Sequence, residues 1–175
     1  LKNVTTQITG SVSQLCASAK KTANKLGYKP IILTDTLRCE AREAGSFIAS
    51  IAEHYQDTEK SLAFIMGGET IVRVKGSGKG GRNQEIALAA SKVLSTCKKT
   101  CVFSVGSDGT DGPTDAAGGY VDNKSLKKFN KAGVSVDEYL LNNDAYNALD
   151  KIGGLIITGP TGTNVNDLTV LLIKR

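Results

Sequence analysis

Residues 76–85 read Gly-Ser-Gly-Lys-Gly-Gly-Arg-Asn-Gln-Glu, with four glycines in six positions between a strand-like segment and a helix-like one. Glycine tolerates positive φ and admits a ligand close to the main chain, so packing alone does not explain this density. After the glycines, Ile86, Ala89, Ala90, Val93 and Leu94 recur at the helical period. This predicts a helix over 82–94 that starts at the glycines, with Gln84 placed to cap back towards Gly81. A helix start carries roughly half a positive charge and several free N–H donors. Arg82 adds a full charge, so the guest expected at this turn is an anion, a phosphate or a carboxylate. A plain glycine-bearing surface loop is the other reading of the same residues.

Two familiar nucleotide motifs fit poorly. Gly76, Gly78 and Gly81 satisfy G-x-G-x-x-G, but a dinucleotide site needs an acidic residue about 20 positions later. This chain has Lys98, Lys99 and Cys101 in that neighbourhood. Lys79 is followed by Gly80, where a P-loop needs a Ser or Thr hydroxyl for Mg²⁺.

The 175 residues are 40% apolar, enough for one sizeable core or two small α/β lobes. No apolar run approaches the roughly 18 residues of a membrane span, and no secretory pattern opens the chain. The first residue is Leu1, which suggests a fragment, a processed product or a trimmed chain. Cys16, Cys39, Cys97 and Cys101 show neither metal-ligand nor redox spacing and read as reduced thiols, so a cytoplasmic location is expected. Net charge is +5, with lysine pairs at 20–21, 98–99 and 127–128. Aromatic residues are few and not interleaved with the lysines, so neither nucleic acid nor membrane is an expected partner, whereas a small anion fits.

Along the chain, residues 4–9 read as a strand and Val12, Leu15, Cys16, Ala19, Ala23 and Leu26 as a helix stopped by Gly27. A buried strand over 30–34 and a helix over 41–55 follow, with the only histidine, His54, at the helix end rather than in a catalytic role. This strand-helix alternation argues for parallel pairing. The polar stretch 56–61 is the best candidate boundary. Beyond it, residues 62–66 and 69–75 flank Gly67-Gly68, which predicts a type I′ hairpin whose second strand leads into the glycine loop. A strand over 101–105 then empties into a loop holding Asp108, Asp111 and Asp115 among glycines and hydroxyls. Such a loop suits Mg²⁺ or a phosphate, yet the same residues are standard turn formers, and both readings stay open. Short helices are expected over 124–131, 136–141 and 144–152. A strand over 155–158 leads into a third polar loop, 159–164, before a final strand over 168–173. Ligands of open α/β sheets bind outside the strand ends, so the three loops read as one polar site. No Gly-x-Ser-x-Gly elbow or Cys/His pair supports nucleophilic hydrolysis.

Four segments carry a family resemblance: Gly67-Gly68-Glu69-Thr70, the glycine loop through Glu85, residues 107–118 (Ser-Asp-Gly-Thr-Asp-Gly-Pro-Thr-Asp-Ala-Ala-Gly) and residues 158–168 (Thr-Gly-Pro-Thr-Gly-Thr-Asn-Val-Asn-Asp-Leu). With them the chain resembles the C-terminal part of the class II glycerate kinases, whose tail is called the MOFRL domain and whose members were long labelled hydroxypyruvate reductases. Ile8-Thr9-Gly10-Ser11 and Glu40-Ala41-Arg42-Glu43 resemble the segment just before that domain. Ser107 and Cys39 are departures, standing where the family usually has Thr and Gly.

The resemblance implies an α/β fold with a mixed parallel/antiparallel sheet and flanking helices, preceded by a partial Rossmann-like segment. Residues 1–60 would end an upstream Rossmann-like lobe and residues 61–175 would form the MOFRL-type domain. It implies ATP-dependent phosphorylation of D-glycerate with Mg²⁺, commonly at the 2-hydroxyl, by a protein whose upstream lobe is needed for activity and which can be a homo-oligomer. Catalytic roles are expected for Arg82, Asp108 and Asp111, and metal binding for Asp111 and Asp115. Substrate or phosphate contacts are expected from Glu69, Gly78, Gly80, Gly81, Asn83, Thr110, Thr161, Thr163 and Asn164. The alternatives are a non-catalytic anion-binding or assembly domain and an NAD(P)H-dependent hydroxypyruvate reductase.

Overall fold

The computed structural model describes residues 3, 5 and 10–175. All but residue 5 of the strand expected over 4–9, and the Ile8-Thr9 part of the resemblance, lie outside them. In chain order the elements are α1 (Val12–Lys25), β1 (Lys29–Leu37), α2 (Ala41–His54), β2 (Leu62–Gly68), α3 (Arg82–Leu94), β3 (Thr100–Gly106), β4 (Gly118–Asp122), α4 (Ser125–Lys131), α5 (Val136–Leu141), α6 (Ala145–Asp150), β5 (Leu155–Ile156) and β6 (Asp167–Ile173). The strands form one sheet in the order β1-β2-β6-β3-β4-β5. Only β1 and β2 run parallel, and every other neighbouring pair is antiparallel. The sheet is therefore mixed, as the resemblance implied, and it crosses residue 60 because β1 joins β2 directly.

Helices cover both faces. Leu62, Phe64 and Met66 of β2 enter the large core with Ile48 of α2 and Ile86 and Leu88 of α3. Ile65, one step out of phase, packs instead with Cys16 of α1 and Val170 of β6. Period-two alternation sends neighbouring strand residues to opposite faces, so a strand with helices on both sides reads as a continuous apolar run. α1 begins where Ser11 Oγ accepts the Gln14 N–H at 3.2 Å, and it gives way to Gly27 at φ +82°.

The hairpin expected around Gly67-Gly68 is absent. Both glycines lie inside β2, paired with Leu168 and Asp167 of β6, and residues 69–75 hold only an isolated bridge from Ile71 to Glu40. A type I′ turn needs positive φ at both central residues, and of these two only Gly68 is positive, at +146°. Gly67 serves packing: a Cβ there would lie 2.4 Å from Val12 Cγ1 and 2.6 Å from Cys16 Sγ, so its missing side chain lets α1 approach the sheet. The antiparallel partner of β2 is β6, about a hundred residues further along. β4 was not foreseen, because only Tyr120 and Val121 of its five residues favour strand.

Candidate functional site

The sheet brings Asp167 to the edge where the loops gather. As first residue of β6 it pairs in register with Gly68, the last residue of β2, and with Gly106, the last of β3. The first residue of α3 reaches it. Arg82 Nε lies 2.5 Å from Asp167 Oδ2 and Nη2 lies 3.1 Å from Oδ1, a two-pronged carboxylate grip. The third guanidinium nitrogen, Nη1, lies 3.0 Å from Glu69 Oε1. The hydrogen bond to Asp167 raises the Arg82 pKa more than burial lowers it, so the charge is permanent. Within the segment 158–168 nothing local marks Asp167 for this role, because its partner lies 85 residues away.

The start of α3 already holds an anion, and it is the protein's own. Asp111 Oδ1 accepts from the Asn83 backbone at 3.1 Å and the Asn83 amide at 3.2 Å, while Oδ2 accepts from the Gln84 backbone at 2.9 Å. A Cβ on Gly81 would lie 2.3 Å from Asp111 Cγ, so glycine at the cap position makes room for a capping carboxylate from elsewhere in the chain. This corrects the expectation of an external anion on those donors. Gln84 does not cap back to Gly81 either. Its amide donates to Asp111 O and Thr114 Oγ1. Asn83, expected to face a ligand, is fully buried and its side-chain Oδ1 accepts from Ser104 Oγ. Burial pushes the Asp111 carboxyl up to about 6, with the Gln84 and Asn83 N–H groups pulling the other way.

Most donors of the glycine loop are also occupied. The N–H groups of Lys75 and Gly76 bind Asn143 Oδ1 at 2.7 and 3.0 Å, and those of Ser77, Gly78 and Lys79 bind Asn142 Oδ1, Asn142 O and Asp144 Oδ1. Among the described residues, the N–H groups of Gly80 and Gly81 have no such acceptor. Asn143 also donates to Glu85 Oε1 at 2.7 Å. Glu85 in turn lies 3.5 Å from Arg42 Nη2, and burial raises its pKa against both partners.

The loop over 107–115 touches both of the other polar loops, through Asp111 at the α3 start and through Asp108 against residues 161–164. Among the described residues no hydrogen bond joins the glycine loop to 159–164, so the single three-loop site expected from the sequence is not what lines the cleft below. Thr161 N donates to Asp108 O at 3.1 Å and its hydroxyl donates to Ser107 O. Asn164 donates to Asp108 Oδ2 at 3.4 Å, and Thr110 N donates to Asp108 Oδ1 at 3.0 Å. Asp115 accepts from the Tyr146 hydroxyl at 2.8 Å, with Lys79 Nζ 3.8 Å above that ring. Asp111 and Asp115 thus answer to different partners. Among the described residues no group of three or more His, Cys, Asp or Glu side chains could hold a metal ion. The two carboxylates expected to hold Mg²⁺ are thus turned to the α3 start and to Tyr146 respectively.

A cleft of about 990 Å³ opens beside the glycine loop. Glu69, Gly78, Gly80, Gly81 and Arg82 line it, as do Asp35, Arg38, Thr70, Glu85 and Asn143. Asp108, Thr110, Asp115, Thr161, Thr163 and Asn164 do not. Sequence reasoning missed the wall after β1, although the end of a parallel strand is where such a sheet places ligands.

This fold and site define an α/β domain with a polar, arginine-bearing cleft at one end of a mixed sheet. The family model described as the MOFRL family matches residues 62–167. The chain belongs to that family. It is 51% identical to the D-glycerate 2-kinase of Thermotoga maritima, over 99% of this chain and 42% of the relative. It is 44% identical to the glycerate 2-kinase of Pyrococcus horikoshii, over 99% of this chain and 40% of that one. The crystal structure of the Thermotoga maritima glycerate kinase superposes with a TM-score of 0.95, covering 99% of this chain and 43% of its own. The chain thus spans about two fifths of the length of these relatives. Among the described residues no helix is long and apolar enough to cross a membrane.

Proposed function

We propose that this chain is the C-terminal portion of an ATP-dependent glycerate kinase, transferring phosphate from ATP to D-glycerate and giving 2-phosphoglycerate. One observation carries the reading: over 99% of its length the chain matches a D-glycerate 2-kinase at 51% identity. The cleft is consistent with it. Phosphoryl transfer asks a protein mainly to position its reactants and stabilise charge on the transferring group. Here Arg82, aimed by Asp167, and the unengaged N–H groups of Gly80 and Gly81 present positive charge to one cleft. The divalent cation would accompany ATP.

The magnitudes require another lobe. A well-placed arginine is worth roughly 10³ to 10⁵ in rate, whereas enzymes commonly supply at least about 10⁶. ADP release is therefore expected to depend on glycerate in the full-length protein and to be absent with residues 1–175 alone. A full-length protein that releases no ADP on adding D-glycerate, while oxidising NADH with hydroxypyruvate, would move the assignment to a reductase. Inactivity in both assays would leave the anion-binding or assembly reading.

A further inference from the structure

Arg38 stands directly after β1 and lines the cleft. The cations lining that cleft are Arg38 and Arg82, and Arg82 is held by two carboxylates. The nearby cations Arg42 and Arg73 are likewise engaged, at 3.1 and 3.3 Å from the carboxylate of Glu40. Arg38 is exposed and makes no hydrogen bond or ion pair among the described residues. Among the described residues it is the guanidinium lining the cleft whose donors are all unengaged.

Two buried polar groups on the same lining also lack partners. Thr70 is 3% exposed and its Oγ1 makes no hydrogen bond, and Glu85 is 1% exposed with Oε2 equally unengaged. Leaving such atoms unpaired is costly, so they are suited to groups on a ligand that donate or accept hydrogen bonds. The lining carries Asp35, Glu69 and Glu85 beside the two guanidiniums, so the positive charge a guest meets is local, at the Arg38 fork. One fork matches one carboxylate, and an acid bearing hydroxyls also meets Thr70 and Glu85.

We propose that Arg38 is the carboxylate-binding residue of the cleft, taking a small hydroxy acid by its carboxylate while Thr70 and Glu85 receive its hydroxyls. Naming that acid as glycerate rests on the kinase reading, but the anion site itself does not. The guanidinium fork matches the two carboxylate oxygens, which a lysine ammonium does not reproduce.

Calorimetric titration of the full-length protein with D-glycerate, L-lactate, glycerol and pyrophosphate tests it. Both hydroxy acids are expected to bind and glycerol not to. Arg38→Gln is expected to weaken the acids about tenfold or more, with Arg38→Lys recovering only part. Because Arg38 has no partner to lose among the described residues, the Tm of both variants should stay within about 2 °C of the parent. Equal binding by parent and Arg38→Gln, no binding of either acid by the parent, or tighter Arg38-dependent binding of pyrophosphate would each overturn the proposal. In the full-length protein, Arg38→Gln should raise the KM for glycerate about tenfold and leave the KM for ATP unchanged. A fall in kcat with the glycerate KM unmoved would also overturn it. If Arg38-dependent acid binding persists in a full-length protein that shows no glycerate-dependent ADP release, the kinase reading falls and the anion site stands.

Discussion

At the start of α3 the guanidinium of Arg82 is gripped by Asp167 and Glu69, whereas at the end of β1 the guanidinium of Arg38, lining the same cleft, pairs with no acid among the described residues. The first lies in a motif conspicuous in sequence, and the second lies in an unremarkable run of nine residues and its sequel. Their difference separates two jobs that a charged side chain can do. Engagement on every side aims a charge and fixes it in place. An open guanidinium keeps its donors for a guest. The same division appears among the carboxylates: Asp111 is consumed by the helix start, while Glu85 keeps one oxygen unpartnered.

The largest effect expected from this contrast is on turnover. Arg82→Lys removes the two-pronged grip on Asp167 and leaves a point charge with a different reach. In the full-length protein, kcat/KM for glycerate should fall about 10³-fold, within the range for loss of a charge-stabilising arginine. Near-normal turnover would show that Arg82 belongs to the scaffold alone and would erase the contrast.

The next effect concerns pH. Burial raises the folded-state pKa of Asp111 to about 6 from the ordinary 3.8. A raised acid binds its proton more tightly when folded, so its contribution to stability is fully present below the unfolded pKa and is lost as pH rises through the folded one. Two pKa units correspond to about 3 kcal/mol. Urea unfolding of the parent relative to Asp111→Asn should therefore show the parent losing about that much of its relative stability between about pH 4 and pH 7. A flat difference, or a carboxyl that titrates near its ordinary value by NMR, would place Asp111 among ordinary helix caps.

Glu69→Gln should matter least. Glu69 is 54% exposed, and an exposed ion pair contributes about 1 kcal/mol or less. Thermal unfolding is expected to move by no more than about 0.5 kcal/mol, since Asp167 keeps its hold on Arg82. A larger loss would mean that the grip on Arg82 depends on both acids.

Much of the fold was legible because it is written in local periodicity. α3 begins and ends where the apolar spacing placed it, and β3, β6 and the helices α1, α2 and α4 lie within a few residues of expectation. The failures share a cause. Gly67-Gly68 has the local form of a turn, and only the arrival of α1 against Gly67 shows why a side chain is missing there. β4 was hidden because its glycines fit the space beside Ser104 O and Leu149 Cδ1 rather than a strand pattern. For the site, the glycine loop and Arg82 were legible as unusual, while Asp167, Arg38, Glu85 and Asn143 were not.

By itself the sequence determined where the backbone turns, where helices start and which residue types gather in the loops, because glycine conformational freedom and apolar period act over a few neighbouring residues. Only the tertiary structure decided what each donor holds. The α3 start could have met a phosphate and instead meets Asp111, and the N–H groups of residues 75–79 could have faced a ligand and instead meet Asn142, Asn143 and Asp144. Hydrogen bonds and ion pairs weaken steeply beyond contact distance, so their outcome depends on which distant segments the sheet brings together.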